Sequence, residues 1–145
     1  MPVSRSLRRL LRIRDLEEEQ SRLALESALG ELNRLQHALA ASTERDRRGR
    51  KLVGTSVRTG ELPDRVAGLE ETLAAGRRTA VLAPRIAQTE LEVVALREEF
   101  LGKRVERRQA QTLIEENEAR DAEEAVKAEA LALCNRFPIY TTSRA

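Results

Sequence analysis

The chain has 145 residues, of which 34% are charged and only 2% aromatic. Globular cores rely on aromatic and β-branched side chains for bulk, so this composition argues against a compact β domain and a doubly wound nucleotide-binding enzyme. It is typical of long helices or coiled coil.

The net charge of +2 is too small for a dedicated nucleic-acid binder, so no nucleic-acid partner is expected. No apolar run approaches the roughly 18–20 residues of a membrane span, so no transmembrane segment is expected. The arginine-rich start lacks the continuous apolar stretch of a secretory signal. The only cysteine, Cys134, excludes an intrachain disulfide, and the sequence therefore predicts a cytosolic protein.

The first predicted element is a helical arm over residues 6–50, with Ser6 as its N-cap. Apolar or small residues recur in steps of three and four, the a/d spacing of a coiled coil, at Leu25, Ala28, Leu32, Leu35, Leu39 and Ser42. A second set, out of phase with the first, is Ile13, Leu16 and Leu23. A stutter in the heptad pattern, or a shift of the facing partner between Gln20 and Leu25, would reconcile the two sets. Gly30 indicates a close approach or a soft point in this arm.

Residues 51–84 are predicted to hold the turn, because glycines and a proline cluster there. Pro84 either kinks a continuous helix or begins a new one, so the sequence leaves open whether 62–83 is a separate short helix. The second arm is predicted over 85–136, where helical spacing of apolar residues resumes, and 137–145 form an irregular tail.

The two arms predict an all-α fold, a single elongated antiparallel two-helix coiled coil, because a lone helix with a narrow apolar stripe is unstable in water. Two registers remain open. A turn within 60–70 would place the arginine-rich start beside the acidic segment 115–129, and the opposite charges favour this register. A turn near Val57 with one continuous second helix would instead leave the acidic segment overhanging.

No catalytic constellation is present in the sequence, so neither an enzyme nor a cofactor or metal site is expected. His37, the only histidine, is predicted to be a solvated surface residue, and Cys134 a partly buried filler. The best nucleic-acid candidate is a basic run, for which a solvated helix end is the favoured interpretation: Arg45, Arg47, Arg48, Arg50 and Lys51.

Two stretches resemble the FliJ family of the flagellar export apparatus. One is residues 13–20, IRDLEEEQ, and the other is residues 100–113, FLGKRVERRQAQTL, in which an aromatic is followed by a basic-rich stretch and then by Gln-Thr-Leu. The length of the chain and its two-arm layout also agree with this family.

The resemblance implies a non-enzymatic central stalk of the hexameric flagellar export ATPase, which promotes assembly and activity of the hexamer in flagellum biogenesis and motility. It implies a cytoplasmic protein, peripherally associated with the inner membrane at the export apparatus. The paired termini would enter the ATPase pore, while the hairpin end contacts the export-gate membrane protein, and export chaperones are further partners. Related stalks serve virulence type III secretion, so both systems remain open.

The resemblance also implies two partner-binding sets. The pore end corresponds to Arg5, Arg8, Arg9 and Arg12. The gate-contacting hairpin end corresponds to Leu52, Leu69 and Leu73, although this chain lacks the aromatic residues that the family often has there.

Two other functions are compatible with the sequence. A holdase-like coiled-coil chaperone or scaffold unrelated to secretion would use apolar residues at an exposed tip, namely Leu52, Val53, Val57 and Leu62. An architectural nucleic-acid or membrane-surface protein would use the basic start and the later basic run.

Overall fold

A computed structural model describes residues 4–136, and over this range the chain forms two α-helices. Helix α1 spans Arg5–Thr59 and helix α2 spans Leu62–Arg136. The two helices pack against each other, and no strand is present in the described part of the chain. The prediction of an all-α antiparallel helical hairpin is therefore confirmed.

The turn is far shorter than predicted, because only Gly60 and Glu61 separate the helices. Gly60 has a φ of +73°, and its N–H donates to the carbonyl oxygen of Ser56 at 2.8 Å. This is how a glycine just past a helix end satisfies a terminal carbonyl. The turn lies inside the predicted region 51–84, but 62–83 is not a separate short helix, since apart from Gly60 and Glu61 the whole region belongs to the two long helices.

Helix α2 runs through Pro84, so no new helix begins there. A proline inside a helix removes one backbone hydrogen bond and costs about 3 kcal/mol. Burial of Leu82 and Ile86 on either side of it offsets this cost, and Pro84 itself lies on the exposed face. The prediction that the second arm begins at residue 85 is wrong, because α2 already begins at Leu62.

Helix α1 begins two residues earlier than the predicted N-cap implies. The backbone N–H of Leu7 donates to the hydroxyl of Ser4 at 3.2 Å, which makes Ser4 the N-cap, while Ser6 lies inside the helix. The first arm also extends past residue 50, as far as Thr59.

The chain divides into two compact units, where a single domain over 1–145 was predicted. We call residues 20–101 the hairpin unit. The terminal unit combines residues 4–19 with 102–136, as far as the structure describes them. The predicted tail, 137–145, lies outside the described residues.

In the hairpin unit, one inward-facing row on each helix forms the core. Its apolar centre consists of Leu35, Leu82 and Ile86, against which Leu32, Ala38 and Leu39 pack. Towards the turn the buried side chains become small or polar, namely Ser42, Gly49, Ser56, Gly68 and Ala75. Since small side chains let two backbones approach closely, the helices are expected to be nearest each other in this part of the unit.

The two helices approach each other closely at Gly49 and Gly68. A Cβ atom on Gly49 would lie 2.8 Å from the carbonyl oxygen of Gly68, and one on Gly68 would lie 2.7 Å from that of Gly49. Nearby, the hydroxyl of Ser42 donates to the carbonyl oxygen of Ala75 at 3.0 Å. A Cβ atom on Gly30 would have no neighbour within 4 Å, so of the two alternatives that the sequence indicated there, a close approach or a soft point, the close approach is wrong.

The inward-facing row of α1 keeps one heptad phase along the whole helix. Its buried and half-buried positions follow steps of three and four at Leu7, Leu11, Arg14, Glu18, Ser21 and Leu25. Ile13, Leu16 and Leu23 are 45%, 64% and 53% exposed. The predicted stutter is therefore wrong, because the row continues through polar and charged residues.

Contacts in the terminal unit decide between the two predicted registers. Arg14 contacts Glu106, and Glu17 contacts Lys103, so the residues before Arg14 lie alongside the part of α2 that follows Glu106. All residues over 122–136 are exposed. The turn at Gly60 and Glu61 lies at the edge of the range predicted for the favoured register. The continuous second helix and the exposed acidic end were predicted for the alternative register, so the favoured pairing of the arginine-rich start with the whole acidic segment is wrong.

Candidate interaction surfaces

The arginines predicted for the pore end lie in the first two turns of α1 and are all exposed: Arg5, Arg8, Arg9 and Arg12. The first turn holds no acidic residue, and none of the four makes an ion pair with any residue in the range 4–136. Positive charge at a helix N-terminus opposes the helix dipole. A negatively charged partner surface would therefore be stabilised here.

The three residues predicted for the gate contact do not form one patch. Leu52 follows Arg45 by seven residues, and Arg45 binds Glu71, so Leu52 is half-buried on the side where these two residues meet. Leu69 and Leu73 are 49% and 58% exposed, and each is two residues from Glu71. Two residues correspond to roughly half a turn of a helix, so both lie on a different face from Glu71. The structure thus separates Leu52 from the other two.

An exposed apolar surface surrounds the turn instead. Five large apolar side chains in this part of the hairpin unit are each about half exposed or more: Val57, Leu62, Val66, Leu69 and Leu73. Contiguous exposed apolar surface on a soluble protein marks an interaction site more often than isolated residues do. Of the residues predicted for an exposed tip, Val57 and Leu62 are exposed, whereas Leu52 and Val53 are half-buried.

A layer of charged side chains crosses the terminal unit, where an apolar row was predicted. The guanidinium of Arg14 donates to Glu17 and to Glu106, each at 3.0 Å. The ammonium of Lys103 lies 3.7 Å from the same Glu17 carboxylate and 3.6 Å from that of Glu106.

The same layer continues at Arg107, which pairs with Glu18 and lies 3.8 Å from the carboxylate of Asp15. The side chains of Glu18 and Arg107 are only 18% and 30% exposed. Sequence reasoning missed this layer because it searched for apolar residues. The heptad phase of the hairpin unit, extended towards the start of α1, would have located it.

Two carboxylates that pair across the helices have altered acidities. The hydrogen bond from Arg14, with the nearby Lys103, lowers the pKa of Glu17. The hydrogen bond from Arg45, which joins the two side chains at 2.6 Å, lowers the pKa of Glu71. At the turn, a hydrogen bond and repulsion from Asp64 raise the pKa of Glu61.

The lowered pKa values of Glu17 and Glu71 predict that acid destabilises the hairpin. A carboxylate whose pKa is lower in the folded state stabilises that state above its unfolded pKa, and the stabilisation is lost as pH falls through the folded pKa. We expect the thermal midpoint to fall as pH drops from 7 to about 3, in the acid range where carboxylates titrate. Glu17→Gln with Glu71→Gln should flatten this fall. Glu61→Gln is the control, because its pKa shift has the opposite sign, and an equal flattening by this variant would contradict the assignment.

The other residues considered in the sequence lie apart from any site. His37 is exposed, as predicted, and Cys134 is exposed rather than partly buried. Within residues 4–136, no group of histidine, cysteine and acidic side chains is placed to hold a metal ion, and neither described helix has a stretch apolar enough to cross a membrane.

The basic run lies inside α1 rather than at a helix end, and acidic residues accompany it. Arg47 donates to Glu44 at 3.1 Å, and Arg50 lies 3.0 Å from Asp46. Arg45 is held by Glu71 on the other helix. This pairing neutralises much of the charge that a nucleic-acid surface would need.

Comparison with known proteins adds no assignment to these surfaces. No protein-family model, no curated protein and no solved structure matches the chain. A functional proposal therefore rests on the residues and contacts described above.

Proposed function

We propose that the protein is a non-enzymatic central stalk and coupling subunit of a flagellar or related type III protein-export ATPase. The observation that carries the proposal is the pairing of the two stretches that resemble the FliJ family. The parts of these stretches that lie in the terminal unit, residues 13–19 and 102–113, contact each other there and supply the charged layer formed by Arg14, Glu17, Lys103 and their neighbours.

The exposed arginines at the start of α1 suit the proposed role of the terminal unit. Unpaired guanidinium groups within the described chain can contact carboxylates in the channel of a hexamer without a large apolar interface. Such contacts are individually weak and sensitive to salt, which suits a subunit that must exchange neighbours during a cycle.

The exposed apolar surface of the hairpin unit is the part proposed to contact the export gate, with Leu69 and Leu73 as its members from the predicted set. Export chaperones are further proposed partners. The proposal places the protein in the cytoplasm, peripherally associated with the inner membrane at the export apparatus.

The test is an ATPase assay with the purified export ATPase, combined with gel filtration of its hexamer. We expect the protein to stimulate hydrolysis and to co-elute with the hexamer. Arg8→Glu, Arg9→Glu and Arg12→Glu together should weaken binding roughly tenfold, because exposed charge contacts contribute about 0.2–1 kcal/mol each. The control carries the same charge change on other exposed arginines, Arg58, Arg65 and Arg97, and should stimulate normally.

Absence of both binding and stimulation would reject the proposal. The second candidate function, a holdase-like chaperone, is favoured by one observation, the exposed apolar side chains around the turn. A protein that leaves the ATPase unchanged but suppresses the aggregation of an unfolded client, and loses this effect with Leu69→Ser and Leu73→Ser, would instead be a chaperone.

A further inference from the structure

The hairpin unit carries a groove along α2 that the proposed function does not use. Its volume is about 540 Å³. The floor is apolar and consists of Ala74, Val81 and Leu82, and the rim consists of four arginines, Arg45, Arg77, Arg78 and Arg85. Of this set, only Arg45 belongs to the basic run noted in the sequence.

Within the described part of the chain, two of the four rim arginines form ion pairs with acidic residues of the protein, and the other two do not. Arg45 donates to both oxygens of Glu71, at 2.6 and 3.1 Å, and Arg85 donates to Glu31 at 3.3 Å. Arg77 and Arg78 make no ion pair with any residue over 4–136. The groove therefore has two guanidinium groups in fixed positions and two that an anionic partner can engage.

The residues that line the groove repeat every seven positions, which is the spacing found where one helix packs along another. Ala74 and Val81 are seven residues apart, as are Arg78 and Arg85, so the apolar and the basic positions form two parallel rows along α2. Val81 is 64% exposed although it is apolar, whereas Leu82 beneath it is buried. A helix laid alongside would cover Val81 with its own apolar row.

We propose that this groove binds an acidic amphipathic helix of a partner protein. The partner's apolar side chains pack on Ala74 and Val81, and its carboxylates pair with Arg77 and Arg78. Arginine suits this role because its planar guanidinium can hold a carboxylate through two hydrogen bonds. The exposed Val81 lies between arginines along one helix, and this arrangement matches the apolar row of a partner helix with acidic residues beside it.

The test uses a designed peptide as the probe, a fluorescein-labelled helix of three heptads with leucines at a and d positions and glutamates beside them. We expect it to bind the full chain in a polarisation assay and to bind more weakly as salt increases. Arg77→Glu with Arg78→Glu should weaken binding at least tenfold, and Val81→Ser should weaken it several-fold. A peptide of the same composition with the leucines scrambled should not bind.

The control variant is Arg47→Glu with Arg50→Glu, which makes the same charge change on another exposed face and should bind as the parent does. Circular dichroism of each variant confirms that the hairpin still forms. The inference is overturned if the peptide does not bind, or if both double variants lose binding equally.

Two further outcomes would also overturn it. Binding to vesicles of phosphatidylserine and phosphatidylcholine that depends on Arg77 and Arg78, without peptide binding, would identify a lipid surface. A concentration-dependent dimer in sedimentation that the Arg77→Glu, Arg78→Glu variant abolishes would identify a second copy of this chain. The groove is separate from the residues that carry the proposed function, so failure of the ATPase assay leaves this result unaffected.

Discussion

Substituting alanine for either glycine of the close helix contact should destabilise the hairpin by about 1–3 kcal/mol, the usual cost of overpacking. A Cβ on Gly49 would lie 2.7 Å from the hydroxyl oxygen of Thr72 as well as 2.8 Å from a carbonyl oxygen of α2. A Cβ on Gly68 would meet the backbone N of Val53 at 3.0 Å. Since backbone atoms cannot rotate away, the helices must separate.

The expected loss of stability is opposite in sign to the effect of helix propensity. Alanine is favoured over glycine by about 0.8–1 kcal/mol inside a helix, so packing has to outweigh this gain. Gly54 and Gly76 are the matched controls, because they also lie inside helices and a Cβ on them would have no neighbour within 4 Å.

Urea unfolding followed by circular dichroism measures all four variants. Gly49→Ala and Gly68→Ala should lower the free energy of unfolding, and Gly54→Ala and Gly76→Ala should raise it by up to about 1 kcal/mol. Four variants that all stabilise would show that the helices do not touch at Gly49 and Gly68.

The glycines show why the turn was predicted poorly from sequence. Gly49, Gly54 and Gly60 lie close together in the chain, and local composition predicts a turn at all three. Only Gly60 adopts a positive φ. Gly49 serves the packing of two helices that are distant in sequence, and no local pattern reports a contact with Gly68.

The fold class was predictable because steps of three and four between apolar residues are a local property of each helix. The phase was not predictable, because two apolar residues near the start from which it was inferred, Ile13 and Leu16, are 45% and 64% exposed and lie outside the inward-facing row. Charged residues occupy the inward row there and are stabilised by partners on α2, such as Lys103 and Arg107. Hydrophobicity alone cannot predict a row that depends on pairing.

The candidate surfaces also differ in whether the sequence alone could predict them. The exposure of the arginines at the start of α1 follows from their charge and was predictable. The groove at Arg77 and Arg78 was not, because its rim includes Arg45 of the other helix and so requires the register. Leu52 was grouped with Leu69 and Leu73 through the family resemblance, and only the register of the two helices shows that it lies apart from them.

The charged layer predicts a large effect when one of its partners is removed. Arg107→Leu leaves the poorly exposed Glu18 without its cation and also removes the cation near the more exposed Asp15, and we expect it to lower the free energy of unfolding by about 2 kcal/mol. Glu18→Leu should cost less, because Asp15 still lies 3.8 Å from Arg107. Arg108→Leu is the control, since Arg108 is exposed and should change stability by no more than about 0.5 kcal/mol.

The double variant Arg107→Leu, Glu18→Leu should recover the loss, and should equal or exceed the parent in stability by up to about 4 kcal/mol. Replacing a poorly exposed ion pair by apolar residues removes the desolvation cost of both charges and adds apolar contact on the inward-facing rows. Urea unfolding of the parent, both single variants and the double variant gives the coupling free energy directly. Losses that simply add would mean that Arg107 and Glu18 do not act as a pair, and the charged layer would then be an exposed surface feature rather than part of the helix interface.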